Sequence, residues 1–224
     1  MTLGVIVGLK QEADCFSGVA SKPHIVCTGA RSGRATVLSR FLIEDGCDAL
    51  LSFGMAGGLV PELRAGDVIV ADAIVTPDQE RLIPNPRWRQ LISDSLIGKH
   101  KVISGTLAGV DQAVLTPAAK SQLHHSTGCL AVDMESHEVA SVAQQANVPF
   151  LAVRAVSDPA DQAIPAWMAS LIGENGQLQY GKVISGLISH PGDITRLPRL
   201  SRDSRAALEA LRRVAGVTAG FSLG

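Results

Sequence analysis

Along the chain, short apolar runs alternate with longer stretches in which apolar residues recur every three or four positions. Residues 3–8, 24–28, 48–53, 67–75, 101–107, 130–132 and 148–153 are compact runs rich in Val, Ile and Leu, the pattern of buried strands. Helical spacing lies between them. Val37, Leu38, Phe41 and Leu42 share one side of residues 34–46, and Met134, Val139, Val142 and Ala146 form a stripe over 134–146. Lys10-Gln-Glu-Ala-Asp14 reads as the polar opening of a helix, and further helices are expected at 88–97, late in 109–128 and within 167–188, the last interrupted near 173–176. Strands interleaved with helices predict an α/β fold, a mixed central sheet flanked by helices and either doubly wound or closed.

Two stretches break the pattern. Pro77, Pro84 and Pro86 fall within 76–89, which reads as an irregular surface excursion able to wall a pocket. Gly54-Met-Ala-Gly-Gly-Leu59 follows the third strand as a glycine-rich turn that can bring backbone N–H groups against a ligand. Residues 196–214 form a basic amphipathic helix, with Leu197, Leu200, Leu208 and Leu211 on one face and Arg199, Arg202, Arg205, Arg212 and Arg213 largely elsewhere. Such a helix either packs its leucines on the core or lies on a membrane surface.

A length of 224 residues suits one domain spanning 1–224. With 46% apolar residues but only 4% aromatics, the core must be aliphatic, as in helix-covered sheets. A net charge of -1 excludes broad attraction to nucleic acid. Cys15, Cys27, Cys47 and Cys129 have neither CxxC spacing nor disulfide-scaffold density, and no apolar run reaches membrane-spanning length, so a soluble cytoplasmic protein is expected.

Most motif-like strings fail on context. Gly220-Phe-Ser-Leu-Gly224 spells GxSxG, but no residues follow to form the helix a nucleophile elbow needs. The glycine loop at 54–58 lacks GxGxxG spacing, and Pro61 interrupts the helix a dinucleotide fold requires there. No GK[ST] follows a glycine loop, and His124-His125 has no partners at metal-ligand spacing. The carboxylates are more informative. Asp133, Glu135 and Asp158 follow strand signals, and Glu12 lies just past the first. Each has a local explanation: Ser157-Asp158-Pro159 is an N-cap before a proline-led helix, and Asp133 and Glu135 sit where a helix N-terminus favours negative charge. In a wound sheet, however, strand ends converge on one crevice.

Glu12 after a glycine-bearing strand, Gly54-Met-Ala-Gly-Gly-Leu59 with Gly66-Asp67 following, Val132-Asp-Met-Glu135 and Arg154-Ala-Val-Ser-Asp158 together resemble the nucleoside phosphorylase and nucleosidase family, in particular the methylthioadenosine/S-adenosylhomocysteine nucleosidases. Size and the arginine-rich tail also resemble the hopanoid-associated members, which implies adenine removal from an adenosyl-hopane precursor. The resemblance implies Asp158 as the acid at the purine and Glu12 as the residue that positions or activates the attacking water. Glu135 would bind ribose hydroxyls, with Met134 against the sugar and Asp133, Val132, Gly57 and Ser157 completing the substrate site. It also implies a homodimer, no metal or organic cofactor, and a small nucleoside substrate that could be lipid-linked, with peripheral membrane contact by the tail.

This chain departs from the family's pattern in three places. Position 133 is Asp where Glu is usual, Met55 replaces a small hydroxyl residue, and Ser52 stands where phosphorylases carry a phosphate-binding arginine. Hydrolysis is therefore expected ahead of phosphorolysis. Arg31 and Arg34, beside Gly29 and Gly33, offer another anion site or are solvated surface charges. A nucleoside-binding protein without catalytic activity is the rival reading.

Overall fold

The computed structural model describes residues 2–20, 22–96, 102–171, 173, 176–177 and 179–219. Eight strands form one mixed sheet: β1 (Leu3–Val7), β2 (His24–Cys27), β3 (Ala49–Gly58), β4 (Val68–Val75), β5 (Arg81–Leu82), β6 (Val102–Gly109), β7 (Ala131–Asp133) and β8 (Phe150–Asp158). Parallel pairing joins β2 to β1, β1 to β3 and β3 to β8, while β8 runs antiparallel to β4. From β4 the ladder continues through β6 and β7 and returns to β3 by an antiparallel pair at Gly57 and Gly58. Strands β3, β8, β4, β6 and β7 thus close a ring, with β1 and β2 extending from it. Of the two topologies the apolar pattern allowed, the closed one is observed.

The helices are α1 (Lys10–Ala13), α2 (Arg34–Glu44), α3 (Pro86–Leu96), α4 (Pro117–Thr127), α5 (Ser136–Gln145), α6 (Tyr180–Ser189) and α7 (Leu197–Ala219). Two apolar layers cover the sheet. One joins Val5, Leu51, Val70 and Val153 to Trp88 and Ile92 of α3 and to Leu208, Leu211 and Val214 of α7. The other joins Ile6, Leu50, Ile69 and Ala152 to Leu42 of α2 and Val139 and Ala143 of α5. Fully burying one such aliphatic chain is worth about 1.5–3 kcal/mol. The apolar face of α7 is thereby spent on the core, and Arg199 closes on Asp161 at 2.9 and 3.0 Å, so the tail reads as a packed helix with a solvated basic side. No helix among the described residues is long and apolar enough to cross a membrane.

Several local expectations shift. The proline-rich stretch is not wholly irregular: β5 pairs with β4, and α3 starts at Pro86, where the Asn85 side chain accepts the Trp88 N–H at 2.9 Å. Trp88 is fully buried in the core. The glycine-rich segment 54–58 is no turn; it continues β3 in extended form. β8 likewise runs on to Asp158, and no helix begins at Pro159, so Asp158 is the last residue of a strand and not an N-cap. The string at 220–224 and the start of the strand expected at 101 lie outside the described residues.

Candidate active site

β3 is the spine of the site, because it carries almost no side-chain bulk where the charged groups approach. A Cβ on Gly54 would lie 2.6 Å from Arg154 Nη1 and 2.7 Å from Glu12 Oε1. One on Gly57 would lie 2.9 Å from Asp158 Oδ2. These contacts, and not turn formation, account for the two glycines.

Glu12 enters from α1. Its Oε2 accepts the Gly8 and Leu9 N–H groups, both at 2.8 Å, and its Oε1 accepts the Met55 N–H at 2.8 Å. The side chain therefore ties β1 to the middle of β3. Burial pushes its carboxyl above the ordinary value, opposed by the Arg154 guanidinium and the three backbone donors.

Arg154 of β8, 1% exposed, holds the centre. Its Nη2 donates to Ser52 Oγ at 2.7 Å, Asp133 Oδ1 at 3.0 Å and Ser136 Oγ at 3.1 Å, and lies 3.5 Å from Glu135 Oε2. Asp133 Oδ1 also accepts the N–H of Glu135 at 2.8 Å and of Ser136 at 2.7 Å, which pins the entry to α5; the helix starts at Ser136, two residues later than the apolar stripe implied. For Asp133, burial would raise the carboxyl, but Arg154 and the Ser136 donors outweigh it and the net shift is downward. Glu135 goes the other way. Burial, with Asp133, Glu12 and Glu138 adding to it against Arg154, lifts its carboxyl to about 7. The guanidinium itself is held more firmly charged by Asp133, Glu135 and Glu12 in spite of burial.

Farther along β8 the chemistry changes. The ladder between β3 and β8 shifts register after Ala56, pairing Gly57 with Asp158 and leaving Ser157 as the extra residue of a bulge. Asp158 Oδ2 accepts from Lys120 Nζ of α4 at 2.6 Å, and Oδ1 accepts from the Ser157 hydroxyl at 2.7 Å. Burial pushes this carboxyl up, while Lys120 and Ser157 pull it down. Val132 pairs with Gly57 across the β3–β7 ladder, and half-buried Met134 lies between Asp133 and Glu135.

The expected carboxylates thus meet along β3, with Gly57, Val132 and Ser157 around Asp158. Arg31 and Arg34 belong to a different feature. Gly33, just before α2, and Thr36, in its first turn, deliver their N–H groups to the Glu138 carboxylate at 2.6 and 2.7 Å, so the protein's own acid occupies the anion position at this helix N-terminus. Arg154 and Lys120 received no role from the sequence. Arg154 had a visible signal, a charged residue inside the apolar run Leu151-Ala-Val-Arg-Ala-Val156; Lys120 sits in a polar helix and had none.

The chain is similar to known proteins in sequence and in fold. The phosphorylase superfamily profile matches residues 18–178. A 5′-methylthioadenosine/S-adenosylhomocysteine nucleosidase of Mycobacterium bovis is 28% identical over 201 aligned positions, covering 69% of this chain and 79% of that protein. Among solved structures, the nucleosidase of the same name from Neisseria meningitidis, in complex with methylthio-immucillin-A, superposes with a TM-score of 0.73 at 17% identity over 97% of both chains. Native futalosine hydrolase of Helicobacter pylori gives 0.69 at 18% identity, over 96% of this chain and 97% of that one.

Proposed function

The chain belongs to the phosphorylase superfamily, and we propose that it hydrolyses the N-glycosidic bond of a 5′-modified adenosine and releases adenine. The observation that carries this reading is the pair of electrostatically distinct carboxyl sites on one strand. Arg154 and Asp158 are four positions apart on β8, about 13 Å of extended backbone, a length that accommodates a nucleoside. Breaking the bond builds positive charge on the ribose and negative charge on the departing base. The acid-rich end, with Glu12, Asp133 and Glu135 around one guanidinium, suits the cationic sugar. The other end offers Asp158, raised by burial, as the acid toward the purine.

In this reading Glu12 orients and deprotonates the attacking water, and Glu135 accepts hydrogen bonds from ribose hydroxyls. Asp158 hands a proton from Oδ1 to the purine N7, and the same oxygen accepts a hydrogen bond from the 6-amino group, which favours adenine over a 6-oxopurine. The same acid-rich end favours water over phosphate. Arg154 already serves Asp133 and Glu135, and Ser52, at the expected phosphate-ligand position, is bound to Arg154. An anionic nucleophile would enter a net negative, buried site. The proposal includes a homodimer, and an apolar 5′ group such as that of an adenosyl-hopane precursor. The segment 109–114, which offers no aromatic residue, supports aliphatic packing around the ligand.

The test is to incubate the protein with adenosine, methylthioadenosine and a 5′-alkyl adenosine, with and without phosphate, and follow adenine and the sugar product. Adenine with a free sugar hemiacetal, independent of phosphate, is expected. No adenine from any of the three, or release only with phosphate and as the sugar 1-phosphate, overturns the reading.

A further inference from the structure

Lys120 is 0% exposed, although α4 is otherwise a largely polar helix. Besides Asp158 Oδ2, its Nζ reaches the backbone carbonyls of Asp158 at 3.0 Å, Pro159 at 2.9 Å and Gln162 at 3.2 Å. A buried ammonium is costly unless its donors are satisfied by a charge and by well-placed acceptors, and here these acceptors lie at the last residue of β8 and in the turn that follows it. Asp158 is therefore gripped on one side. Oδ2 is enclosed between Lys120 and Gly57, whereas among the described residues Oδ1 meets only the Ser157 hydroxyl, which can turn to the Ala56 carbonyl 3.4 Å away.

We propose that Lys120 is a positioning residue for the base-releasing acid: it holds Oδ2 of Asp158, leaves Oδ1 as the oxygen that carries the transferable proton, and stabilises the carboxylate formed when that proton departs. This rests on the hydrolytic reading above. In the step itself, the O–H bond at Oδ1 breaks and an N–H bond forms on the purine. The electron pair of the glycosidic bond goes to the base, and Lys120 keeps its protons throughout. The ammonium thus strengthens a carboxylic acid that burial alone would leave too weak. Of the groups around the pair, Asp161 in the same turn is exposed and held by Arg199 of α7, and His124 on α4 is engaged with the Cys129 carbonyl at 2.8 Å. Neither competes for Asp158 in the contacts described.

The experiment measures adenine release from methylthioadenosine between pH 5 and 9 in the native protein, Lys120→Met and Lys120→Gln, together with a carbon-13 NMR titration of the Asp158 carboxyl assigned through Asp158→Asn. The Gln variant retains N–H donors for the turn carbonyls but has no charge. In both variants kcat at pH 7 is expected to fall about tenfold to a hundredfold, and the alkaline limb and the Asp158 titration to move together to higher pH. Loss of rate with limb and titration unmoved would overturn the proposal and reduce Lys120 to a pin for the 158–162 turn. Should neither variant fold, Lys120→Arg, which keeps a cation beside Oδ2, decides: the alkaline limb and the Asp158 titration are expected to stay together, and a limb that moves away from the titration overturns the assignment. A native protein that releases no adenine while the titration still moves would sink the hydrolytic reading and leave the Lys120–Asp158 linkage standing.

Discussion

Two points along β3, beside Gly54 and beside Gly57, solve the same problem, a buried carboxylate, in opposite ways. At the Arg154 end, one guanidinium is shared by Asp133 and Glu135 with Glu12 close by, so the cluster is short of positive charge. At the Asp158 end, one ammonium serves one carboxylate and the pair is neutral. Shared compensation leaves a site that welcomes a cation, while private compensation leaves a site that tunes a single acid. Residue type is therefore a poor guide to role, and the number of cations within reach of each carboxylate is a better one.

The contrast can be broken most forcefully at Arg154. Arg154→Met leaves three carboxylates without their cation in a buried site, and a loss of about 3–5 kcal/mol in unfolding free energy is expected from denaturant melts at pH 8. Acidification should restore part of it as the carboxyls protonate. An equal loss at pH 8 and pH 5 would show that packing, and not charge, is what Arg154 supplies.

Asp158→Asn tests the neutral end. It should retain the fold, because Lys120 keeps three backbone carbonyls, yet lower adenine release by about a thousandfold, within the range for loss of a general acid. Turnover within tenfold of native would remove Asp158 from its role.

Glu135 gives the smallest and most diagnostic effect. Its carboxyl is raised to about 7, so at pH 8 the folded protein carries a charge that it accommodates poorly. For such a raised acid, the stability contribution is complete below the unfolded value near 4.5 and is lost as pH climbs through about 7. Glu135→Gln should therefore stabilise the protein by about 1–3 kcal/mol at pH 8, and the gain should vanish by pH 4. Activity should show the reverse sign. If the ionised form binds the ribose, kcat/KM of the native protein falls as pH drops below about 7, and a profile flat from pH 5 to 8 would contradict that role.

Much of this molecule was legible in its linear pattern. All the strands but β5, and the aliphatic core, follow from period and composition, because burial on a sheet face imposes them residue by residue, whereas the order Glu12, glycine segment, Asp-Met-Glu, Ser-Asp was legible only through the family resemblance. Local propensity misled where tertiary pairing overrode it. Glycines 54, 57 and 58 read as a turn, yet lie in a strand, where charged side chains occupy the space that Cβ atoms on Gly54 and Gly57 would fill. Ser-Asp-Pro read as a helix cap, yet β3 holds it in a ladder to the last residue. The bulge at Ser157, the sharing of Arg154 and the arrival of Lys120 from α4 could come only from the fold. Each depends on elements distant in sequence meeting at one register, and no single segment encodes where another will lie.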